Sequence, residues 1–384
     1  MQFDFTSLTD RRRYPSKKWT LYAPDVIPLW VADMDFPVAP VISEALTEQI
    51  ERQPTFGYVG PTASLQQALC DWSLAHYHWQ IEAKWQCWLP GVVPALHMAA
   101  MALTEPDEEL LVLPPIYPPF LSVGKHTGRP MRTVPLREPT SEDPWWRLDR
   151  DALEKSVTPK TRMLLWCNPH NPTGRVFDQE ELEWLGDFVE RHDLLVCSDE
   201  LHCDLLLDEQ AQHVPLASLS NALAARTITL WAASKTFNIA GLTCACAVIP
   251  DPALRARFNQ QSAGLQPSHN VLGLVATEAA YSQGEPWRQA LLDVLRSNSQ
   301  LLAEHVAKWP EAAMIPPQGS YLAWVDLRKA SLGENPQKTL LDQAKVGLSD
   351  GADFGAPGFV RVNLATQEVR LKEALQRMDT LLEK

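Results

Sequence analysis

Residues 162–171 read RMLLWCNPHN, an apolar run without alternation that breaks abruptly into polar residues. Two later stretches have the same form, residues 194–200 (LLVCSDE) and residues 227–235 (TITLWAASK). Apolar runs that do not alternate are typical of strands covered on both faces, as in parallel sheets. A helical period over residues 180–192 separates the first two runs. The pattern therefore predicts βαβ units and an α/β fold built on a mostly parallel sheet.

The polar residues that follow these strands indicate a functional site. In open α/β sheets, ligands bind beyond the carboxyl ends of the strands. Three successive strand ends supply an amide (Asn171), a carboxylate (Asp199) and an amine (Lys235). Any one of them alone is explained better as a turn or cap residue. The three together predict a single site at one edge of the sheet.

Outward from this centre the chain alternates between helical periods and short strand-like runs. The pattern predicts helices at residues 41–50, 64–76, 93–103 and 367–382, and strands at residues 321–327 and 359–364. We expect an N-terminal arm with part of a small domain (residues 1–45), a large cofactor-binding domain (residues 46–285) and a C-terminal small domain (residues 286–384).

Composition and charge exclude several classes of protein. The 384 residues include 34 basic and 47 acidic side chains, a net charge of −13, which argues against binding to nucleic acid or to an anionic membrane. The longest apolar stretches are about half the ~20 residues of a membrane span. Seven scattered Cys and an N-terminus without an apolar leader predict a reduced, cytoplasmic protein. The 14 Trp, among them Trp79, Trp85, Trp88, Trp145 and Trp146, find no explanation in the sequence.

A lysine at the end of a buried strand has a specific chemical use. Desolvation lowers the pKa of an amine and makes it a nucleophile for carbonyl groups, as in Schiff-base formation with pyridoxal phosphate. A nearby carboxylate such as Asp199 keeps the pyridine nitrogen of that cofactor protonated. The amide of Asn171 can donate to the phenolate oxygen of that cofactor, and His202, three residues after Asp199, is placed near the same oxygen. The residues thus predict a pyridoxal-phosphate enzyme.

Longer motifs carry a family resemblance over nearly the whole chain. Residues 167–175 (CNPHNPTGR), 198–202 (SDELH) and 234–242 (SKTFNIAGL) resemble the fold-type I pyridoxal-phosphate enzymes of the aspartate aminotransferase superfamily. Within that superfamily, four blocks are similar to the MalY/PatB family of cystathionine β-lyases: residues 29–36 (LWVADMDF), 57–58 (GY), 115–120 (PIYPPF) and 321–326 (YLAWVD). The resemblance implies a three-layer, aminotransferase-like large domain with a mostly parallel sheet and a smaller α/β domain.

The resemblance also implies roles for single residues. Lys235 would attach the cofactor and carry the substrate's Cα proton, Asp199 would pair with the ring nitrogen, and Tyr117 would stack on the ring and belong to the catalytic set. The implied phosphate ligands are Ser234, the N–H groups of Val92 and Val93 at a helix start, and Tyr58 of a neighbouring subunit. Arg361 would bind the substrate's α-carboxylate. Trp30 and Ala32 are candidates for the wall of the substrate pocket.

The implied activity is the cleavage of L-cystathionine, or of cystine or cysteine S-conjugates, to a thiol, pyruvate and ammonia, in a homodimer with shared sites. An aminotransferase that uses the same Lys235 is the nearer alternative, and a regulatory binding protein that keeps the fold is the more distant one. Two departures from the aminotransferase signature stand out: position 243 is Thr where a phosphate-binding Arg is usual, and Ala232 replaces Gly or Ser. Cys244 and Cys246 lack a second paired motif, so we assign no metal.

Overall fold

The structure is a computed structural model, and it describes residues 3–383. In chain order its strands are β1 (Ile27–Pro28), β2 (Gln86–Leu89), β3 (Glu109–Val112), β4 (Met131–Thr133), β5 (Thr161–Cys167), β6 (Leu195–Asp199), β7 (Thr227–Trp231), β8 (Ala245–Val248), β9 (Ala313–Met314), β10 (Leu322–Asp326), β11 (Val346–Gly347), β12 (Ser349–Asp350) and β13 (Phe359–Asn363).

Helices precede, separate and follow these strands along the chain. They are α1 (Lys17–Thr20), α2 (Pro40–Arg52), α3 (Ala63–Tyr77), α4 (Val92–Leu103), α5 (Pro118–Thr127), α6 (Arg150–Ser156), α7 (Gln179–Arg191), α8 (Asn221–Ala224), α9 (Ala233–Thr236), α10 (Pro252–Ser262), α11 (Val271–Gln283), α12 (Glu285–Val306), α13 (Pro336–Thr339) and α14 (Glu368–Leu382). The helices predicted from periodicity begin and end within two residues of α2, α3, α4 and α14.

The central sheet has seven strands in the order β2-β8-β7-β6-β5-β3-β4. The five strands from β7 to β4 are parallel, and β8 runs antiparallel to both of its neighbours. The prediction of a mostly parallel sheet is therefore confirmed. Because β5, β6 and β7 are adjacent and parallel, their carboxyl ends meet at one edge.

Both faces of this sheet are covered, which explains why its strands do not alternate. Along β5, Met163 and Leu165 pack on one face together with helices α4, α5 and α10. Leu164 and Trp166 pack on the other face together with α6, α7 and α8. The arrangement of helices, sheet and helices confirms the predicted three-layer α/β fold.

Residues from the two ends of the chain meet in a second group of strands. An antiparallel sheet in the order β12-β13-β10-β9 is formed by C-terminal residues. The N-terminal strand β1 pairs in parallel with β11. Beyond β1, the N–H of Asp35 donates to the carbonyl of Ala365 at 2.9 Å. Residues 30–36 are thereby held against the strand that carries Arg361.

The structure accounts for tryptophans that the sequence left unexplained. Trp79, Trp88 and Trp146 are buried in the hydrophobic core. Trp85 packs against the edge of the same core. The Arg175 guanidinium lies 5.2 Å from the ring centroid of Trp145. These side chains stabilise the fold by burial and by one cation–π contact. Among the described residues, no helix combines the length and the apolarity that crossing a membrane requires.

Candidate active site

A cavity of about 750 Å³ opens at the carboxyl ends of β5, β6 and β7. Eleven of the twelve residues that the sequence singled out line it: Trp30, Ala32, Val92, Val93, Tyr117, Asn171, Asp199, His202, Ser234, Lys235 and Arg361. The exception is Tyr58, whose surface is 95% exposed. The fold thus brings together residues that lie more than 300 positions apart in the chain.

Lys235 lies in the short helix α9, immediately after the end of β7. Its amine donates a hydrogen bond to the carbonyl oxygen of Ala32 at 2.6 Å. Burial lowers the pKa of Lys235 to about 8, although the carboxylate of Asp33 opposes this shift. A sizeable fraction of the amine is therefore neutral near pH 7 to 8, which is the form that attacks a carbonyl group.

Asp199 is the last residue of β6, and its side chain is buried. One carboxylate oxygen accepts a hydrogen bond from the N–H of Leu201 at 3.1 Å. Burial, together with the charge of Glu200, raises the pKa of Asp199 to about 7. A carboxyl group in this state is ready to ionise as soon as a cation binds beside it.

Arg361 projects from β13 into the cavity, and its hydrogen bonds go to neutral oxygen atoms. The guanidinium donates to Asn171 Oδ1 at 2.8 Å, to the Trp30 carbonyl at 3.1 Å and to Ser349 Oγ at 3.3 Å. Burial lowers the pKa of Arg361 to about 10. A buried guanidinium held in place by neutral acceptors favours binding of an anion such as a carboxylate.

Two aromatic side chains, Tyr117 and His202, also line the cavity. Tyr117 precedes α5, and its N–H donates to the carbonyl of Asn171 at 3.1 Å. Burial raises the pKa of the Tyr117 phenol, so the hydroxyl stays protonated. Burial lowers the pKa of His202 to about 3, so that ring is neutral. Nδ1 of His202 is buried and has no partner within the described residues, which leaves it free for a ligand.

Neutral hydrogen-bond donors also line the cavity. Helix α4 begins at Val92 after Gly91 and has no side-chain cap, so its first N–H groups remain available. Ser234 and Thr243 line the same cavity. A helix start with free N–H groups attracts an anion such as a phosphate. At position 243, where the aminotransferase signature has an Arg, this chain supplies a neutral Thr to the cavity lining.

Sequence reasoning missed residues whose positions only the fold reveals. Lys17 and Tyr22 line the cavity from the N-terminal arm, and Ser349 lines it from β12. Asn238 lies inside the quoted motif SKTFNIAGL, but no role was predicted for it. Its side chain bonds to the backbone of Met34 and Phe36. The sequence feature that could have identified Asn238 is its position three residues after Lys235.

Comparisons with known proteins agree with this arrangement. Residues 24–378 match the family model described as aminotransferase class I and II. The chain is 37% identical over 367 residues to the cystathionine beta-lyase PatB of Bacillus subtilis, covering 93% of each chain. The crystal structure of OvoB superposes with a TM-score of 0.94 at 43% identity, covering 99% of both chains. Cystalysin from Treponema denticola, solved with pyridoxal 5'-phosphate, superposes with a TM-score of 0.93 at 32% identity, covering 100% of this chain and 99% of that one.

Proposed function

The chain belongs to the class I and II aminotransferase family, in its MalY/PatB group, and we propose that it is a pyridoxal-phosphate-dependent carbon–sulfur β-lyase. Its substrate would be L-cystathionine or another S-substituted cysteine. The observation that carries the proposal is the placement of Lys235, Asp199 and Arg361 around one cavity. Several similar proteins are cystathionine beta-lyases by name.

The cavity fits this cofactor by its own chemistry. Lys235 supplies the amine for covalent attachment, and the carboxylate of Asp199 suits a protonated ring nitrogen. The unpartnered Nδ1 of His202 suits the phenolate oxygen. The uncapped start of α4 and the hydroxyl of Ser234 suit the phosphate. When bound, the cofactor supplies an electron sink for negative charge that develops at the substrate's Cα.

The remaining steps fall to side chains of this chain. Arg361 binds the α-carboxylate and orients the substrate. The amine of Lys235 removes the proton from Cα as a general base. The electron pair left at Cα forms a Cα–Cβ double bond while the Cβ–S bond breaks, and sulfur leaves as a thiolate. Addition of one water molecule then completes the conversion of the remainder to pyruvate and ammonia.

A product assay tests the proposal and separates it from the aminotransferase alternative. We expect purified protein loaded with pyridoxal phosphate to release pyruvate and ammonia from L-cystathionine in equal amounts, with no keto acid added. S-methyl-L-cysteine serves as a substrate without a second amino-acid group. If product formed only after a keto acid was added, the chain would instead be an aminotransferase.

The position of the Arg361 guanidinium in the cavity leads to a prediction about substrate binding. Replacing Arg361 with lysine keeps the positive charge but removes the planar pair of donors that matches a carboxylate. We expect the KM for L-cystathionine to rise by about 10- to 100-fold, with a smaller fall in kcat. Steady-state kinetics measure both values. The absorbance of the bound cofactor near about 420 nm should persist, and a KM equal to that of the wild type would contradict the proposed carboxylate contact.

The proposal includes a homodimer with shared sites, in the cytoplasm. Tyr58 and Phe56, which flank Gly57, are exposed to 95% and 54% in the single chain, an unusual state for two large aromatic residues in one short loop. Burial of this loop against a second copy would bring Tyr58 to the partner's cofactor phosphate. The division into residues 1–45, 46–285 and 286–384 belongs to the same proposal.

A further inference from the structure

Residues 30–36, here named the carbonyl strip, have an unusual pattern of hydrogen bonds. The strip is neither helix nor strand. Each of its seven consecutive carbonyl oxygens accepts a hydrogen bond from a side chain elsewhere in the chain. The donors, at 2.6 to 3.3 Å, include Arg361, Asn363, Lys235, Lys18, Asn238 and Gln367. Such complete pairing satisfies the backbone acceptors of an irregular segment with side-chain donors, as a strand ladder satisfies those of a sheet.

One of these donors differs from the others because it is the reactive amine. The carbonyl of Ala32 accepts from Lys235 Nζ at 2.6 Å. The donors of the other six carbonyls have no part in the proposed covalent chemistry. The Ala32 carbonyl therefore orients the amine whenever Lys235 is not covalently attached, before the cofactor binds and again after the substrate takes its place. A fixed carbonyl can direct the amine only if the strip is fixed relative to helix α9.

Asn238 makes that connection. It lies three residues after Lys235, with a φ of 58°. Its Oδ1 accepts from the N–H of Met34 at 3.2 Å, and its Nδ2 donates to the carbonyls of Met34 at 3.3 Å and Phe36 at 2.7 Å. The carboxamide thus pairs with the backbone two and four residues beyond Ala32. The positive φ is one that Asn tolerates better than most residues.

We propose that Asn238 is a positioning residue for Lys235, because its carboxamide joins the turn directly after α9, the helix that carries the amine, to the strip that carries the Ala32 carbonyl. The inference rests on the proposed function, since it requires that Lys235 attach the cofactor. Asn238 does not line the cavity, so it acts through the strip and not by contact with a ligand. Loss of the carboxamide removes the hydrogen bonds that join the strip directly to the turn after α9, so the direction of the amine becomes less well defined, although Arg11 still donates to the Met34 carbonyl at 2.6 Å.

The substitution Asn238→Gly tests this, because glycine adopts the positive φ readily and lacks the carboxamide. The readout is the rate at which full-length protein stripped of cofactor regains absorbance near about 420 nm after mixing with pyridoxal phosphate. At pH 9, where the amine is mostly neutral, we expect about a tenfold slower rate, as misplacement of a reacting group produces. The pH midpoint of this rate should also fall, because the ammonium form loses a hydrogen-bond acceptor.

His78→Gly is the matched control, since His78 also has a positive φ of 53° but is exposed at the end of α3. We expect it to leave both the rate and the pH midpoint unchanged. Asn238→Asp is the second variant, for use if the glycine variant does not fold. It retains the side-chain size but loses the donor to Met34 and Phe36, so it too should regain the absorbance slowly. Rates equal to the His78→Gly control would overturn the inference while leaving the lyase proposal intact. A wild-type protein that never gains the band would overturn both.

Discussion

Lys235→Ala is expected to abolish β-elimination, with a fall in kcat/KM of at least about 10⁴-fold. The reason is that two tasks fall on one amine: attachment of the cofactor and transfer of the Cα proton. No other lysine or arginine that lines the cavity can replace it, because Lys17 lies in the N-terminal arm and Arg361 is paired with Asn171. Pyruvate release measures the activity, and the absorbance near about 420 nm measures covalent attachment.

Lys17→Ala is the matched control for this experiment, because Lys17 is the other lysine of the cavity lining. We expect that variant to keep the band at about 420 nm, which Lys235→Ala should lose. Circular dichroism should show that both variants remain folded, since α9 is short and alanine favours a helix. A Lys235→Ala protein that retained the band would refute the assignment of the attachment site.

The sequence was sufficient to locate three central strands of the sheet and the functional residues at their ends. The reason is physical. Strands covered on both faces are apolar throughout, so β5, β6 and β7 could be located from their uninterrupted apolar runs. Polar residues directly after them had to lie at the carboxyl edge of a parallel sheet. The positions of Asn171, Asp199 and Lys235 in one cavity followed from that rule.

Other parts of the site depend on contacts between distant segments, which no local pattern encodes. Asn238 bonds to a backbone segment 204 residues earlier in the chain. The Arg361 guanidinium takes its orientation from Asn171, 190 residues away. Side-chain bonds to an irregular strip leave no periodicity, so neither contact could be predicted. The role of Tyr58 depends on a second copy of the chain and stays a prediction.

Asp199→Asn is expected to lower kcat at least about 10³-fold, because a neutral amide cannot keep the cofactor's ring nitrogen protonated. A second effect follows from the pKa of about 7 that burial gives Asp199 in the cofactor-free chain. This pKa lies above that of the unfolded chain, so in the cofactor-free protein the ionisation of Asp199 costs stability as pH rises through about 4 to 7. A cation bound beside the carboxylate offsets that cost. The gain in Tm on addition of pyridoxal phosphate should therefore be larger at pH 8 than at pH 6, and Asp199→Asn should remove this difference.

Glu200→Gln is the control that distinguishes the effect of a carboxylate beside the cofactor from the effect of any buried carboxylate. Glu200 is buried next to Asp199, but its carboxylate accepts from Ser198, His213 and the N–H of Leu216. We expect this variant to lose stability at every pH, because a carboxylate held by several donors contributes to folding. Since Glu200 does not line the cavity, the pH dependence of the cofactor's effect on Tm should survive. It should move to lower pH, because the charge of Glu200 no longer raises the pKa of Asp199. If Glu200→Gln removed that dependence and Asp199→Asn did not, Asp199 would not be the partner of the ring nitrogen.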